Sequence, residues 1–396
     1  MNKTKTVIYL DNNATTPPHE RVLEKTFEWL KLWGNPSSIH GHGRGPKNLM
    51  REARRKISEM IVASNPLEVI FTSCGSESNN LVIRGTFDYF YKTNPKKNVL
   101  ICSAIEHPSV IKTMKALEPR GAEVKIIPVS RSGEIDLAVY ENMLNDKVAL
   151  VSVMSASNES GVIFPIKKLA KIARQKEILF HTDAVQALGK IPLGVTHWDV
   201  DFASFAGHKV YALRGCGVVY AKRGTILESL ITGGGQERGR RCGTENLLAI
   251  AALAEMSVEV KSVEAKKNKM EALRDYMENR ILSEISDVEI IAQTAKRLPN
   301  TSCLIVSGVS GETLLMNLDL KNFSVSTGSA CSAGNPEPSA ALLAMGISHA
   351  EAQSSLRLSL GWNTTKEEID LFVDALKDVV VRLRKIAQMR ELENTL

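Results

Sequence analysis

The chain has 396 residues, 43% hydrophobic and 24% charged, a balance that builds a large globular core and excludes wholesale disorder. Fifty basic against 44 acidic residues give a formal net charge of +6, too mild and too dispersed for a nucleic-acid surface. No apolar run approaches the ~18 residues of a membrane span. The four apolar residues from Val7 to Leu10 are too few for a signal-peptide core, so the expected location is the cytoplasm.

Short runs rich in Val, Ile and Leu predict strands at 69–72, 99–104, 124–129, 148–154 and 178–182. Helical patterns lie between them at 77–91, 108–117, 137–144 and 165–175, the last opening on Pro165. Another apolar run, 202–206, reads as a buried strand. Such alternation predicts an α/β fold, with a mainly parallel sheet between helices and a site at the strands' carboxyl ends. From about residue 260 the pattern changes. A charged helical stretch at 258–285 precedes short strands at 289–291 and 303–306, then helices at 312–318 and 366–383. The expected division is an N-terminal arm (1–15), a large domain (16–260) and a smaller α+β domain (261–396).

Four segments could carry chemistry. Lys209, in Ser204-Phe205-Ala206-Gly207-His208-Lys209, ends an apolar strand, where desolvation lowers an amine's pKa and frees it to form a Schiff base. A surface lysine is the usual case, so this motif alone carries little. Asp183, in His181-Thr182-Asp183-Ala184-Val185-Gln186, follows another strand; it could hold a proton on a heteroaromatic nitrogen or simply cap a helix. Thr72-Ser73-Cys74-Gly75-Ser76-Glu77 joins a strand to a helix through small residues, a shape that binds phosphate at free backbone N–H groups. It is neither a Walker loop nor a dinucleotide fingerprint. Finally, Ser326-Thr327-Gly328-Ser329-Ala330-Cys331-Ser332-Ala333-Gly334 leaves Cys331 little bulk to hide behind. None of the six cysteines stands in C-x-x-C or zinc-like spacing, and no metal site is expected.

Together these segments resemble the cysteine desulfurases, in the class-V aminotransferase group of fold-type-I pyridoxal phosphate enzymes. The resemblance also rests on Tyr9-Leu-Asp-Asn-Asn-Ala-Thr-Thr-Pro17, Gly34-Asn-Pro-Ser-Ser-Ile-His40, Ile105-Glu-His-Pro-Ser109 and Asn158-Glu-Ser-Gly161. Further along it includes Gly233-Gly-Gly-Gln-Glu-Arg238, Gly243-Thr244 and Ser355-Leu-Arg-Leu-Ser-Leu-Gly361. It implies that Lys209 carries the Schiff base and moves protons, and that His107 stacks on the pyridine ring. Asp183 would pair with the ring nitrogen, while Asn158 and Gln186 reach the phenolic oxygen. Gly75, Ser76 and His208 would hold the phosphate, with Thr244 supplied by the neighbour in a homodimer. Arg357, with Asn158, would bind the substrate, and Cys331 would take sulfur from L-cysteine as a persulfide, leaving L-alanine. The acceptor would be an iron–sulfur scaffold or a tRNA-thiolation protein, with no direct contact to nucleic acid or membrane. The sequence departs from the family at Ala206, where a phosphate-binding serine is usual, at Cys74-Gly75-Ser76, at 211–215 and at Trp362. These departures put phosphate contacts and the shape of the substrate mouth in question. Two rivals stand beside this reading: another pyridoxal phosphate enzyme, such as an aminotransferase or selenocysteine lyase, which needs no Cys331, and a non-catalytic sulfur relay.

Overall fold

The computed structural model describes residues 7–328 and 337–394. β1 (Ile8–Tyr9) comes first. One large sheet follows from β2 (Val69–Thr72), β3 (Val99–Ser103), β4 (Glu123–Ile127), β5 (Val148–Ser152), β6 (Leu179–Asp183), β7 (Phe202–Ala206) and β8 (Gly217–Ala221). Their spatial order is β2-β8-β7-β6-β5-β3-β4. β3 to β7 run parallel to one another, and β8 runs antiparallel to both β2 and β7. Two reversals put β2 back in the direction of β7, so the carboxyl ends of β2, β3, β5, β6 and β7 open on one edge. Both faces of the sheet are covered. Val69, Phe71, Val99 and Ile101 enter one apolar cluster, while Ile70, Leu100 and Cys102 enter another, which is why these strands read as unbroken apolar runs.

The remaining strands are β9 (Val288–Ile290), β10 (Thr301–Val306), β11 (Phe323–Ser324) and β12 (Ser355–Ser359). β10 lies between β12 and β9, antiparallel to both. Helices Val263–Glu284 and Lys366–Asn394 pack together beside this sheet. β1 pairs in parallel with β11, Leu10 N–H donates to the Ser324 carbonyl at 2.8 Å, and Ile8 and Leu10 join the same apolar cluster as Leu304, Leu356 and Phe372.

The expected helix at 258–285 is two helices, Ser257–Val260 and Val263–Glu284. Side chains compete for the backbone at the break: Ser262 Oγ and Lys266 Nζ both donate to the Glu259 carbonyl at 2.9 Å. Helices Glu20–Leu30, Gly41–Met60 and Leu247–Glu255 add to the elements expected from sequence. Among the described residues, no helix is long and apolar enough to cross a membrane.

Candidate functional site

The site gathers where the parallel strands end. β7 stops at Ala206, and one 3-10 turn, Gly207–Lys209, carries Lys209 over the sheet edge. Its Nζ donates to the backbone carbonyls of Asn13 at 2.6 Å and Ala14 at 2.7 Å. Burial, reinforced by Arg357, pushes the Lys209 amine down to about 8, against the opposing pull of Asp11 and Asp183. At that value about a tenth of the amine is neutral at pH 7, against fewer than about one in a thousand for an unperturbed lysine.

Next to it, β6 ends on the buried Asp183. Its Oδ2 accepts from Asn79 Nδ2 at 2.7 Å and its Oδ1 from the Val185 N–H at 3.0 Å. Each oxygen keeps a lone pair for something in the cavity. Asn79 stands on helix Gly75–Thr93, which begins directly after β2 with Cys74 as its N-cap. Cys74 Sγ accepts from Glu77 N–H at 3.4 Å, leaving the N–H groups of Gly75 and Ser76 at the positive end of the helix. Gly75 fits tightly there, since a Cβ would lie 3.0 Å from Val185 Cγ2.

His107 caps helix Pro108–Lys115, its Nδ1 accepting from Ser109 N–H at 3.1 Å. Burial lowers its pKa; Asp183 opposes this and Lys209 adds to it, so the ring is neutral at physiological pH. His208 pairs with Thr15 Oγ1 at 3.1 Å, and burial, with Lys209 and Arg214, brings it down to about 4. Arg357 projects from β12; its Nη2 donates to Asp11 Oδ1 at 2.7 Å and its Nη1 to the Asn158 carbonyl at 3.4 Å. Its Nε is buried without a hydrogen-bond partner among the described residues.

Gly75, Ser76, His107, Asn158, Asp183, Gln186, His208, Lys209 and Arg357 line one cavity of about 440 Å³. Thr244 is exposed and is not part of that wall. Cys331 lies outside the described residues; Ser326, Thr327 and Gly328, which precede it, do line the cavity. Cys242 is buried, as are Cys102, Cys216 and Cys303. Ala206 contributes a methyl group to the wall, so a serine hydroxyl is missing where the family usually places one. Trp362 is not at the mouth. It is buried, stacks on Tyr211 at 4.1 Å and donates from Nε1 to the Gly189 carbonyl at 3.0 Å.

Four supporting residues carried no signal of their own in the sequence. Asn79 orients Asp183. Asn13 accepts from Lys209 and Gln186 through its carbonyl. Lys190 holds the side chains of Asn13 and Gln186. Glu106 Oε1 accepts from Ser103 Oγ at 2.5 Å and Met154 N–H at 2.8 Å. Burial lifts the Glu106 carboxyl to about 8, those two donors restrain the rise, and Asp183 adds to it, so at neutral pH it is mostly a neutral acid beneath the site.

A helix N-terminus, a buried carboxylate and an amine of depressed pKa thus share one cavity. The family model for class-V aminotransferases matches residues 8–372. The chain belongs to the class-V aminotransferase family. Within this family, the cysteine desulfurase IscS of Dictyoglomus turgidum is 40% identical over 390 residues, 98% of each chain. The solved structure of a NifS-like protein is 34% identical, has a TM-score of 0.89, and aligns over 95% of this chain and all of its own. A structure of SspA in complex with cysteine is 32% identical at a TM-score of 0.78, covering 90% of this chain and 99% of its own.

Proposed function

We propose that this class-V chain is a cysteine desulfurase that uses pyridoxal phosphate, takes sulfur from L-cysteine as a persulfide on Cys331 and releases L-alanine. The observation that carries the reading is the neutral-leaning Lys209 amine, in one cavity with Asp183 and the unpaired edge of Arg357. The likeness to desulfurases across nearly the whole chain, and to a protein whose structure is of a complex with cysteine, supports that substrate.

The residues present fit the cofactor. Gly75, Ser76 and His208 would receive its phosphate, Asp183 its ring nitrogen, His107 its ring face, Asn158 and Gln186 its phenolic side, and Lys209 its carbonyl carbon. Ala206 removes one hydroxyl from the phosphate set, so the helix N-terminus bears more of that charge. When bound, pyridoxal phosphate supplies an electron sink conjugated with the substrate's Cα.

The chain's own groups do the rest. Arg357, which lines the cavity, takes the substrate carboxylate, while Asp11 holds its Nη2. Lys209, tethered to the Asn13 and Ala14 carbonyls, is placed to receive the Cα proton. The Cys331 thiolate attacks the substrate sulfur: the S–S bond forms, the Cβ–S bond breaks, that carbon takes a proton, and return of the Cα proton from Lys209 completes alanine. Buried Cys242 is poorly placed to hand sulfur to another protein.

The active species is a homodimer in this reading, with Thr244 and Gly233–Arg238 completing the neighbour's phosphate site. The division into an arm (1–15), a large domain (16–260) and a small domain (261–396) is supported by the pairing of β1 with β11. The sulfur acceptor is an iron–sulfur scaffold or a tRNA-thiolation protein, met in the cytoplasm.

Cys331→Ser tests the nucleophile. The variant should keep the cofactor's near-visible absorbance, respond to added cysteine and release almost no sulfide. Peptide mass analysis of the wild type should find the persulfide on Cys331; finding it on Cys242 alone overturns the assignment.

A further inference from the structure

Lys190 is 4% exposed, and among the described residues no carboxylate holds its amine. It donates to Asn13 Oδ1 at 2.7 Å and to Gln186 Oε1, both neutral amide oxygens. Burial first, then the neighbouring charges of Lys209 and Arg357, lowers its pKa well below the usual lysine range. A neutral amine has two N–H bonds, one for each of these acceptors. A buried lysine without a counter-charge is costly, so its place needs a reason.

Its backbone is fixed. Lys190 follows Gly189, which adopts φ +73°, and a Cβ there would fall 2.5 Å from Val210 Cγ2. Trp362 Nε1 donates to the Gly189 carbonyl at 3.0 Å, and Lys190 N–H to the Ala187 carbonyl at 3.1 Å. Gln186 and Lys190 are thus set on one tight turn, four residues apart.

The consequence falls on the Gln186 amide. Its Nε2 donates to the Asn13 carbonyl at 3.1 Å while its Oε1 faces the Lys190 amine. Flipping the amide would set oxygen against oxygen at Asn13, so that carbonyl fixes the orientation, and in it Oε1 receives the Lys190 N–H. In that orientation Gln186 has its second N–H left as a donor for the cavity.

We propose that Lys190 is a positioning residue: by holding Gln186 Oε1 and Asn13 Oδ1, it keeps the second N–H of Gln186 turned toward the phenolic edge of the bound cofactor. This rests on the pyridoxal phosphate reading above. An N–H given to the phenolic oxygen draws negative charge from it, so the adjoining Lys209 nitrogen holds its proton less firmly. Lys209 shares the Asn13 carbonyl with Gln186, and the other charges bearing on it are Arg357, Asp11 and Asp183.

The test is the pH titration of the near-visible band of purified holoenzyme, which requires no turnover. Lys190→Met should raise the midpoint by about half a unit or more, roughly threefold in proton affinity. In a Gln186→Met background the same substitution should leave the midpoint within about a fifth of a unit, since the group it acts through is gone. Should Lys190→Met fail to accumulate as folded holoenzyme, Lys190→Gln carries the same comparison. An unmoved midpoint in the single variant, or an equal shift in both backgrounds, overturns the role. A wild-type protein reconstituted with pyridoxal phosphate that shows no band at all instead overturns the cofactor reading, and this inference with it.

Discussion

Lys209 and Arg357 are coupled through charge. Arg357 helps hold the Lys209 amine down near 8, and Asp11, paired with Arg357, pulls the other way. A lysine reacts with a carbonyl only when neutral, so the rate at which apoprotein captures pyridoxal phosphate should rise with pH through about 8 and then level. Arg357→Gln removes the lowering charge and leaves Asp11 unpaired; both changes favour the protonated amine. The midpoint of the capture profile should therefore move up by about half a unit or more, read by stopped-flow absorbance. A midpoint that stays put or falls would show that Arg357 does not act on Lys209.

At the scale of elements, the segment around Glu237 is pinned to the large sheet. Glu237 takes φ +48° and Arg238 φ +60°, conformations that side-chain-bearing residues rarely adopt. The buried Glu237 carboxylate repays that strain by gripping Arg54 at 2.5 and 2.7 Å and accepting the Phe71 N–H of β2 at 3.1 Å. Glu237→Ala leaves Arg54 and that N–H without their partner, and should cost about 3–5 kcal/mol of stability, measured by denaturant unfolding. A loss under about 1 kcal/mol, the range of a surface pair, would contradict the anchoring role. The α/β architecture was legible because β2, β3 and β5–β7 are buried on both faces and read as apolar runs. Lys209 and Asp183 were legible for the same reason, each standing at the end of such a run. Helix Gly41–Met60 was not, because Gly41, Gly43, Gly45 and Pro46 crowd its start. Close packing accounts for Gly43, where a Cβ would lie 2.4 Å from the Ser38 carbonyl, and no local propensity announces that contact. Asn79, Glu106 and Lys190 were illegible because each acts through a partner brought to it by the fold.

The whole molecule leaves a large apolar surface open. Leu23, Phe27 and Leu30 on helix Glu20–Leu30, then Trp33 at 75% and Ile39 at 95% exposure, face outward in sequence succession. Such residues suit the interface of the proposed homodimer. If this face forms the proposed dimer, Trp33→Glu should shift the mass in solution toward the monomer and weaken cofactor retention, through loss of the proposed Thr244 contact with the neighbour. Sedimentation of the variant at the wild-type mass would remove this face from the dimer. The central claim is the reaction itself. Incubating holoenzyme with L-cysteine and a thiol reductant, without any 2-oxo acid, and quantifying alanine and sulfide, tests it most directly. Equal amounts of alanine and sulfide are the predicted result; turnover that requires a 2-oxo acid, or that yields pyruvate and ammonia in place of alanine, would contradict it.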